Sequence, residues 1–256
     1  MLLNSNILGK GNSQTAIILH GFLGMSDNWK THGKQLSELG YEVHLVDQRN
    51  HGSSFWDDTF NYDVLAEDLK TYCEAYHLSN INLIGHSMGG KTAMLFATQH
   101  PDLVSKLVVV DISPRFYPIH HQTILEGLSS LNFNEIKSRG EADEALQTYI
   151  SDYGIRQFLL KNLYWVEKGR LGLRINLEVL KREVAEVGEA LPSYARFMNE
   201  TLFLKGDRSE YIGLEDEMII HNHFPDVKIV TIKNAGHWLH AENPKDFFNA
   251  LIKFLG

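Results

Sequence analysis

The sequence predicts an α/β fold: a mostly parallel central sheet with helices on both faces. Three observations carry that expectation. Short apolar runs alternate with helix-spaced segments along most of the chain. One run, Ile81-Asn-Leu-Ile84, leads into Gly85-His-Ser-Met-Gly89, where the order is strand, sharp turn and helix with a serine at the apex. Finally, His20, Asp47, Ser87, Asp111 and the Gly206 loop all fall at or just past the ends of apolar runs, where a parallel sheet binds its ligands.

Taken in order, residues 15–19 form an apolar strand ending in His20-Gly-Phe22, and residues 29–39 a helix closed by Gly40. Residues 41–46 read as a strand. Residues 62–76 read as a helix with Leu65, Leu69, Tyr72 and Tyr76 on one face. Cys73, the only cysteine, shares that face, which makes it a core residue and rules out an intrachain disulfide. After the strand at 81–84, Gly89, Ala93, Phe96 and Ala97 fall on one face of a helix that ends before Pro101. Strands follow at 106–110, 201–204 and 228–232. The last helix opens with Asn243 as cap and Pro244 in its first turn, and Phe247, Phe248, Leu251, Ile252 and Leu255 form its stripe. Residues 114–193 break the alternation: they contain no convincing strand and read as helices, for example 141–153 and 177–187. The organisation expected is a core of residues 1–113 and 194–256 with a helical cap of residues 114–193 inserted after the strand ending at Asp111.

Composition narrows the function classes. The 256 residues are 43% hydrophobic and 22% charged, as in an ordinary globular domain. With 24 Lys and Arg against 32 Asp and Glu, the net charge of −8 argues against nucleic acid as a partner. The first eleven residues lack an apolar stretch behind a basic start, so no signal peptide is expected. No apolar run approaches the ~20 residues of a membrane span. A cytoplasmic location is the expectation, and the sequence carries no signal of oligomeric state.

A serine hydroxyl is a poor nucleophile and needs a base, an acid to orient that base, and donors for the developing oxyanion. Ser87 sits at the turn. His237, in Asn234-Ala-Gly-His-Trp-Leu-His240, follows a strand and precedes the last helix, with His240 the weaker competitor. The oxyanion donors expected are the backbone N–H groups of Met88 and Phe22. Two acids fit the chain order: Asp111 after the strand at 106–110, and Asp207 in Leu204-Lys-Gly-Asp-Arg-Ser209. Phe22, Leu23, Phe116, Phe158 and Trp238 are candidate substrate-binding residues. Asp47 and Arg49 are expected to brace a loop by an ion pair, and His86 to pack. His120-His121 and His221-x-His223 are too sparse for a metal site, and no metal or organic cofactor is required.

The chain resembles the α/β-hydrolase superfamily, and within it the YbfF-type bacterial esterases and their mitochondrial abhydrolase-domain relatives. The resemblance rests on His20-Gly-Phe-Leu-Gly24, Asp47-Gln-Arg-Asn-His-Gly52, Gly85-His-Ser-Met-Gly-Gly-Lys91, Val110-Asp-Ile-Ser-Pro114, Arg156-Gln-Phe-Leu-Leu160 and Gly236-His-Trp-Leu-His240. Asn50 and His51 stand where most of the superfamily carries Gly-x. The resemblance implies an α/β-hydrolase fold, Ser87 as nucleophile, His237 as base, a helical cap, and a small-molecule carboxylic ester or acyl thioester as substrate. It also favours Asp111 over Asp207, because the superfamily's usual acid position, counted from Gly206, is Ser209. Only residues 1–12 precede the His20 strand, enough for one short strand or a tight hairpin.

Residues 154–182 carry seven Lys or Arg and two Glu, a net +5 that could steer an anionic leaving group such as coenzyme A. Two other readings stay open: cleavage or elimination at carbon on the same scaffold, and a catalytically silent ligand-binding protein.

Overall fold

The computed structural model describes residues 1–256. Five strands, β1 (Ser5–Leu8), β2 (Gln14–Leu19), β3 (Tyr41–Val46), β4 (Ile81–His86) and β5 (Val104–Val110), precede a long insertion. That insertion holds the hairpin β6 (Leu163–Glu167) and β7 (Arg170–Leu173), and β8 (Thr201–Gly206) and β9 (Val227–Ile232) follow it. The helices of the core are α1 (Lys30–Glu38), α2 (Tyr62–Ala75), α3 (Met88–Gln99), α8 (Asp216–His223), α9 (Leu239–Glu242) and α10 (Pro244–Leu255). The insertion contributes α4 (Gln122–Ser129), α5 (Arg139–Gln147), α6 (Tyr153–Leu160) and α7 (Leu177–Arg182).

Seven strands form one sheet in the order β1-β3-β2-β4-β5-β8-β9. All neighbours are parallel except β1 and β3, so the N-terminal residues supply a single antiparallel edge strand. Side-chain alternation builds the two faces. Ile17, Leu19, Leu83, Leu107 and Val109 join α2 and α3 in one core. Ile18, Ile84, Val108 and Val110 join Leu36 of α1 and Phe247 and Leu251 of α10 in the other. Each such side chain contributes about 1.5–3 kcal/mol on burial. The Cys73 side chain lies in the first core, and burial pushes its thiol up to about 12.

The chain runs from β2 outward to β3, then crosses back over β2 to β4. This reversal opens a crevice at the carboxyl ends of β2 and β4. The registers Leu19↔Gly85, His86↔Val110 and Val110↔Leu204 bring the loops after β2, β4, β5 and β8 to one edge.

The insertion corrects the sequence reading. It is not all helical: β6 and β7 pair as a two-stranded antiparallel hairpin, with Gly169 at φ 83 in its turn. The helix expected over 141–153 is instead two, α5 and α6, and the one over 177–187 is α7 followed by a 3₁₀ turn at Val184–Gly188. The insertion has an apolar core that extends onto the sheet edge, taking in Phe22 and Leu23 of the loop after β2 and Met88 at the start of α3.

Its two connections to the sheet run side by side. Tyr117 N donates to Gly188 O and Leu191 N to Pro114 O, both at 2.8 Å. Lys91, on α3 and 2% exposed, donates from Nζ to the carbonyls of Arg115, at 2.5 Å, and Glu189, one on each connection. Burial, with Arg115 adding repulsion, pulls its ammonium down to about 7.

α3 approaches the sheet closely because Gly89 has no side chain. A Cβ there would lie 2.5 Å from the carbonyl oxygens of both Leu19 and His20. Gly89→Ala is therefore expected to destabilise the fold by about 3 kcal/mol or more, read as a lower midpoint in urea unfolding.

Candidate active site

Ser87 sits between β4 and α3 with φ 52 and ψ −118, a left-handed conformation that costs energy for a serine. The turn is held by Ser87 N donating to Val110 O at 3.0 Å and by the close approach of Gly85 to Gly89. Its effect is to lift the side chain off the sheet edge into a cavity of about 220 Å³. That cavity is lined by Phe22, Leu23, Phe158, Leu159, Ile124, Ile155, Trp238, Tyr211, His120, His121 and His237, among others.

His237 lies on the loop between β9 and α9. Two contacts fix that loop. His86 Nε2 donates to the His237 carbonyl at 2.9 Å, and Asp207 accepts from the N–H groups of Asn234, at 2.9 Å, and Ala235, at 3.0 Å. Asn234, at φ 55, makes the left-handed turn of this loop. His237 Nδ1 donates to Asp111 Oδ2 at 2.8 Å, which leaves Nε2 as the acceptor. The Tyr211 ring lies flat on the imidazole, 3.9 Å between centroids and 18° between planes. Burial pushes His237 down to about 3, and His120 adds to the fall.

Asp111, at the end of β5, is fully buried and also left-handed, at φ 52. Its carboxylate accepts from Gly206 N at 3.0 Å and from the Ser209 hydroxyl, besides His237. Burial pushes it up to about 6, while the bonds from Ser209 and Gly206 pull it down. Asp207 is turned away on the surface, held low by its two backbone donors. The structure thus brings Ser87 and His237 to one cavity, with Asp111 buried behind His237, and gives Asp207 the task of anchoring the His237 loop.

Of the candidate substrate-binding residues, Phe22, Leu23, Phe158 and Trp238 line the cavity, with Phe158 and Trp238 in contact at 5.8 Å. Phe116 does not: it is 53% exposed, outside the lining. Asp47 and Arg49 do not pair with each other. Arg49 forms a two-pronged pair with Asp68, at 2.6 and 2.8 Å, while Asp47 accepts from the N–H groups of Ser26 and Ser53. His86 packs, and also pins the His237 loop. His240 lies beneath, stacked on Trp29 at 4.2 Å, with no contact to Asp111.

Sequence reasoning missed Tyr211, and it gave His120-His121 no role at the site. His120 Nε2 lies 2.6 Å from the Tyr211 hydroxyl, and the His121 ring meets Phe22 edge-on at 5.0 Å. Only the position of Tyr211, two residues past Ser209, hinted at its place. No helix is long and apolar enough to cross a membrane.

Known proteins are similar to this chain over nearly its whole length. The chain is 36% identical to the sn-1-specific diacylglycerol lipase ABHD11 of Mus musculus over 261 residues, covering 99% of this chain and 85% of that protein. It is 30% identical to Esterase YbfF of Escherichia coli over 247 residues, covering 95% and 94%. The solved structure of a marine microorganism esterase superposes with a TM-score of 0.95 at 39% identity, covering 99% of both chains. Residues 16–244 match the family model for the alpha/beta hydrolase fold, and the chain belongs to that family.

Proposed function

We propose that the protein is a serine hydrolase of carboxylic esters, working through an acyl-enzyme on Ser87. The observation that carries this reading is the hydrogen bond between His237 Nδ1 and the buried Asp111, in the cavity where Ser87 stands at a left-handed turn. The esterase and lipase names of the similar proteins support the same class of reaction.

In this scheme the Ser87 hydroxyl attacks the acyl carbon while His237 Nε2 takes its proton. Asp111 holds the imidazole in the tautomer that leaves Nε2 free and stabilises the imidazolium. The N–H groups of Phe22 and Met88 receive the oxyanion; the neighbouring Leu23 N–H is already committed to His51. His237 then protonates the departing alcohol, and water repeats the sequence on the acyl-enzyme. Residues 114–193 act as a cap whose α4 and α6 side chains, Ile124, Ile155, Phe158 and Leu159, close over the acyl group and exclude water.

The cavity of about 220 Å³ is smaller than the ~300–1,000 Å³ of drug-sized sites. Short and medium acyl chains are therefore expected to outperform palmitoyl-length ones in a nitrophenyl ester series. Ser87→Ala is expected to lower kcat at least about 10⁴-fold. A folded wild type inactive on every ester would shift the reading to carbon–carbon cleavage or ligand binding. Acyl thioesters, including acyl-CoA, are the finer version of the proposal. Arg156, Arg170 and Arg182 are engaged in ion pairs, so steering of an anionic leaving group rests on the exposed Lys161, Lys168, Arg174 and Lys181.

The acid assignment has its own test. Asp111→Asn is expected to lower kcat about 10⁴-fold by trapping the wrong tautomer, whereas Asp207→Asn acts on loop stability and leaves most of the turnover. The reverse pattern, measured on the best ester, would overturn the assignment.

The pH profile follows from the same pair. Turnover needs Asp111 ionised and His237 neutral, so both requirements fail as pH falls. kcat/KM is expected to rise through the Asp111 value of about 6 and level off above it. Ser209→Ala removes a bond that favours the carboxylate, so the rising limb moves to higher pH. An unmoved or acid-shifted limb would contradict this.

A further inference from the structure

Leu23, the residue after the proposed oxyanion donor Phe22, is gripped from two sides. Its backbone is left-handed, at φ 59, which is costly for leucine. Its N–H donates to His51 Nε2 at 3.2 Å, and its carbonyl accepts from Asn162 Nδ2 at 2.8 Å. His51 belongs to the core loop after β3. Asn162 belongs to the insertion, between α6 and β6.

Both side chains suit that use. His51 Nδ1 faces the Arg49 carbonyl at 2.9 Å, and a carbonyl only accepts, so Nδ1 carries the proton and Nε2 is the acceptor. Burial holds the imidazole down at about 3, so it stays neutral at any working pH. Asn162 is 1% exposed and also donates to Leu159 O at 3.1 Å. Its Oδ1 is buried without a hydrogen-bond partner. An apolar side chain of the same shape would remove the orphaned oxygen but would strip the buried Leu23 carbonyl of its donor. What the amide adds is the pair of N–H bonds, one of them to Leu23.

The same core loop is tied to the insertion a second time. Asn50, left-handed at φ 63, accepts at its carbonyl from Asn176 N at 3.0 Å and at Oδ1 from Asn176 Nδ2 at 3.2 Å. Next to it, His51 and Ile175 form an antiparallel bridge. Asn50-His51, the dipeptide that stands where Gly-x is usual, is therefore the joint between the insertion and the loop that presents Phe22.

We infer that Asn162 and His51 are positioning residues that hold Leu23 from opposite sides, so that seating of the insertion and aim of the Phe22 N–H are a single event. The inference rests on the reading of Phe22 as an oxyanion donor. It makes a cap side chain matter to chemistry on substrates too small to touch the cap.

The test uses Asn162→Leu, which removes the donor together with the orphaned oxygen. Three results are expected. Amide exchange at Leu23, followed by NMR, accelerates about tenfold or more. kcat on nitrophenyl acetate falls about 10- to 100-fold while KM stays within about threefold. The melting temperature falls modestly, because the Leu23 carbonyl loses its donor, so the split between kcat and KM separates positioning from a merely structural role. His51→Phe acts on the same residue, and its loss of kcat combines less than additively with that of Asn162→Leu. If Asn162→Leu fails to fold, Asn162→Ala takes its place. Unchanged Leu23 exchange overturns the coupling, and so does unchanged kcat in an enzyme that turns over esters. If wild type hydrolyses no ester, the serine-hydrolase reading fails, while the Leu23 exchange rate still decides whether Asn162 holds the loop.

Discussion

A carboxylate removed from water must be met by donors, and Asp111 recruits them from the ends of two neighbouring strands, β8 and β9. It is fully buried, and its oxygens accept from the backbone after β8, from the Ser209 hydroxyl and from His237 on the loop after β9. Leaving such a group without its partners costs several kcal/mol, so three chain segments far apart in sequence are drawn to one point. The arrangement has its own strain, since Asp111 adopts a left-handed backbone to aim its oxygens. The carboxylate is also held between opposing pulls. Burial pulls it toward the neutral form and the surrounding donors pull it back.

The parallel sheet makes this convergence possible. With β2, β4, β5 and β8 in register, their trailing loops emerge at the same height. The reversal of strand order beside β2 then puts the Phe22 loop and Ser87 on either side of one crevice. Glycine enforces the spacing: α3 can lie against the Leu19 and His20 carbonyls only because Gly89 is bare.

How much of this could be read in the sequence depended on whether the signal was local. The turn at Ser87 was legible because its strain demands glycine at 85 and 89, two residues either side. The core strands were legible because burial on both faces demands unbroken aliphatic runs such as Leu107-Val-Val-Val110. The absence of a carboxylate at Ser209 directed attention to Asp111, and it is the Ser209 hydroxyl that now donates to that acid. The hairpin at Leu163–Leu173 was not seen. Its strands are short and half-exposed, so they lack the in–out alternation that marks a strand, although Tyr164-Trp-Val166 and Gly169 held the β-propensity and the turn. Partnerships across the fold were the least accessible. Arg49 chose Asp68 over Asp47, and Tyr211 came to rest on His237, because packing rather than spacing decided both. Phe116 shows the same limit: an aromatic close in sequence to Asp111 ended up facing solvent.

The two strands of chain that enter and leave the insertion are hydrogen-bonded to each other and fastened by one ammonium, that of Lys91. The closed loop they delimit therefore begins and ends at the same place on the core. Closure entropy grows only slowly with loop length, by about 0.6 kcal/mol per doubling. A segment of different size or shape spliced in at this neck could enter without cutting the sheet, provided it kept the ties at Asn50 and Leu23 and the packing on Phe22, Leu23 and Met88. The neck is thus a natural seam for exchange, at which a graft must carry over the contacts that reach back to the sheet-edge loops.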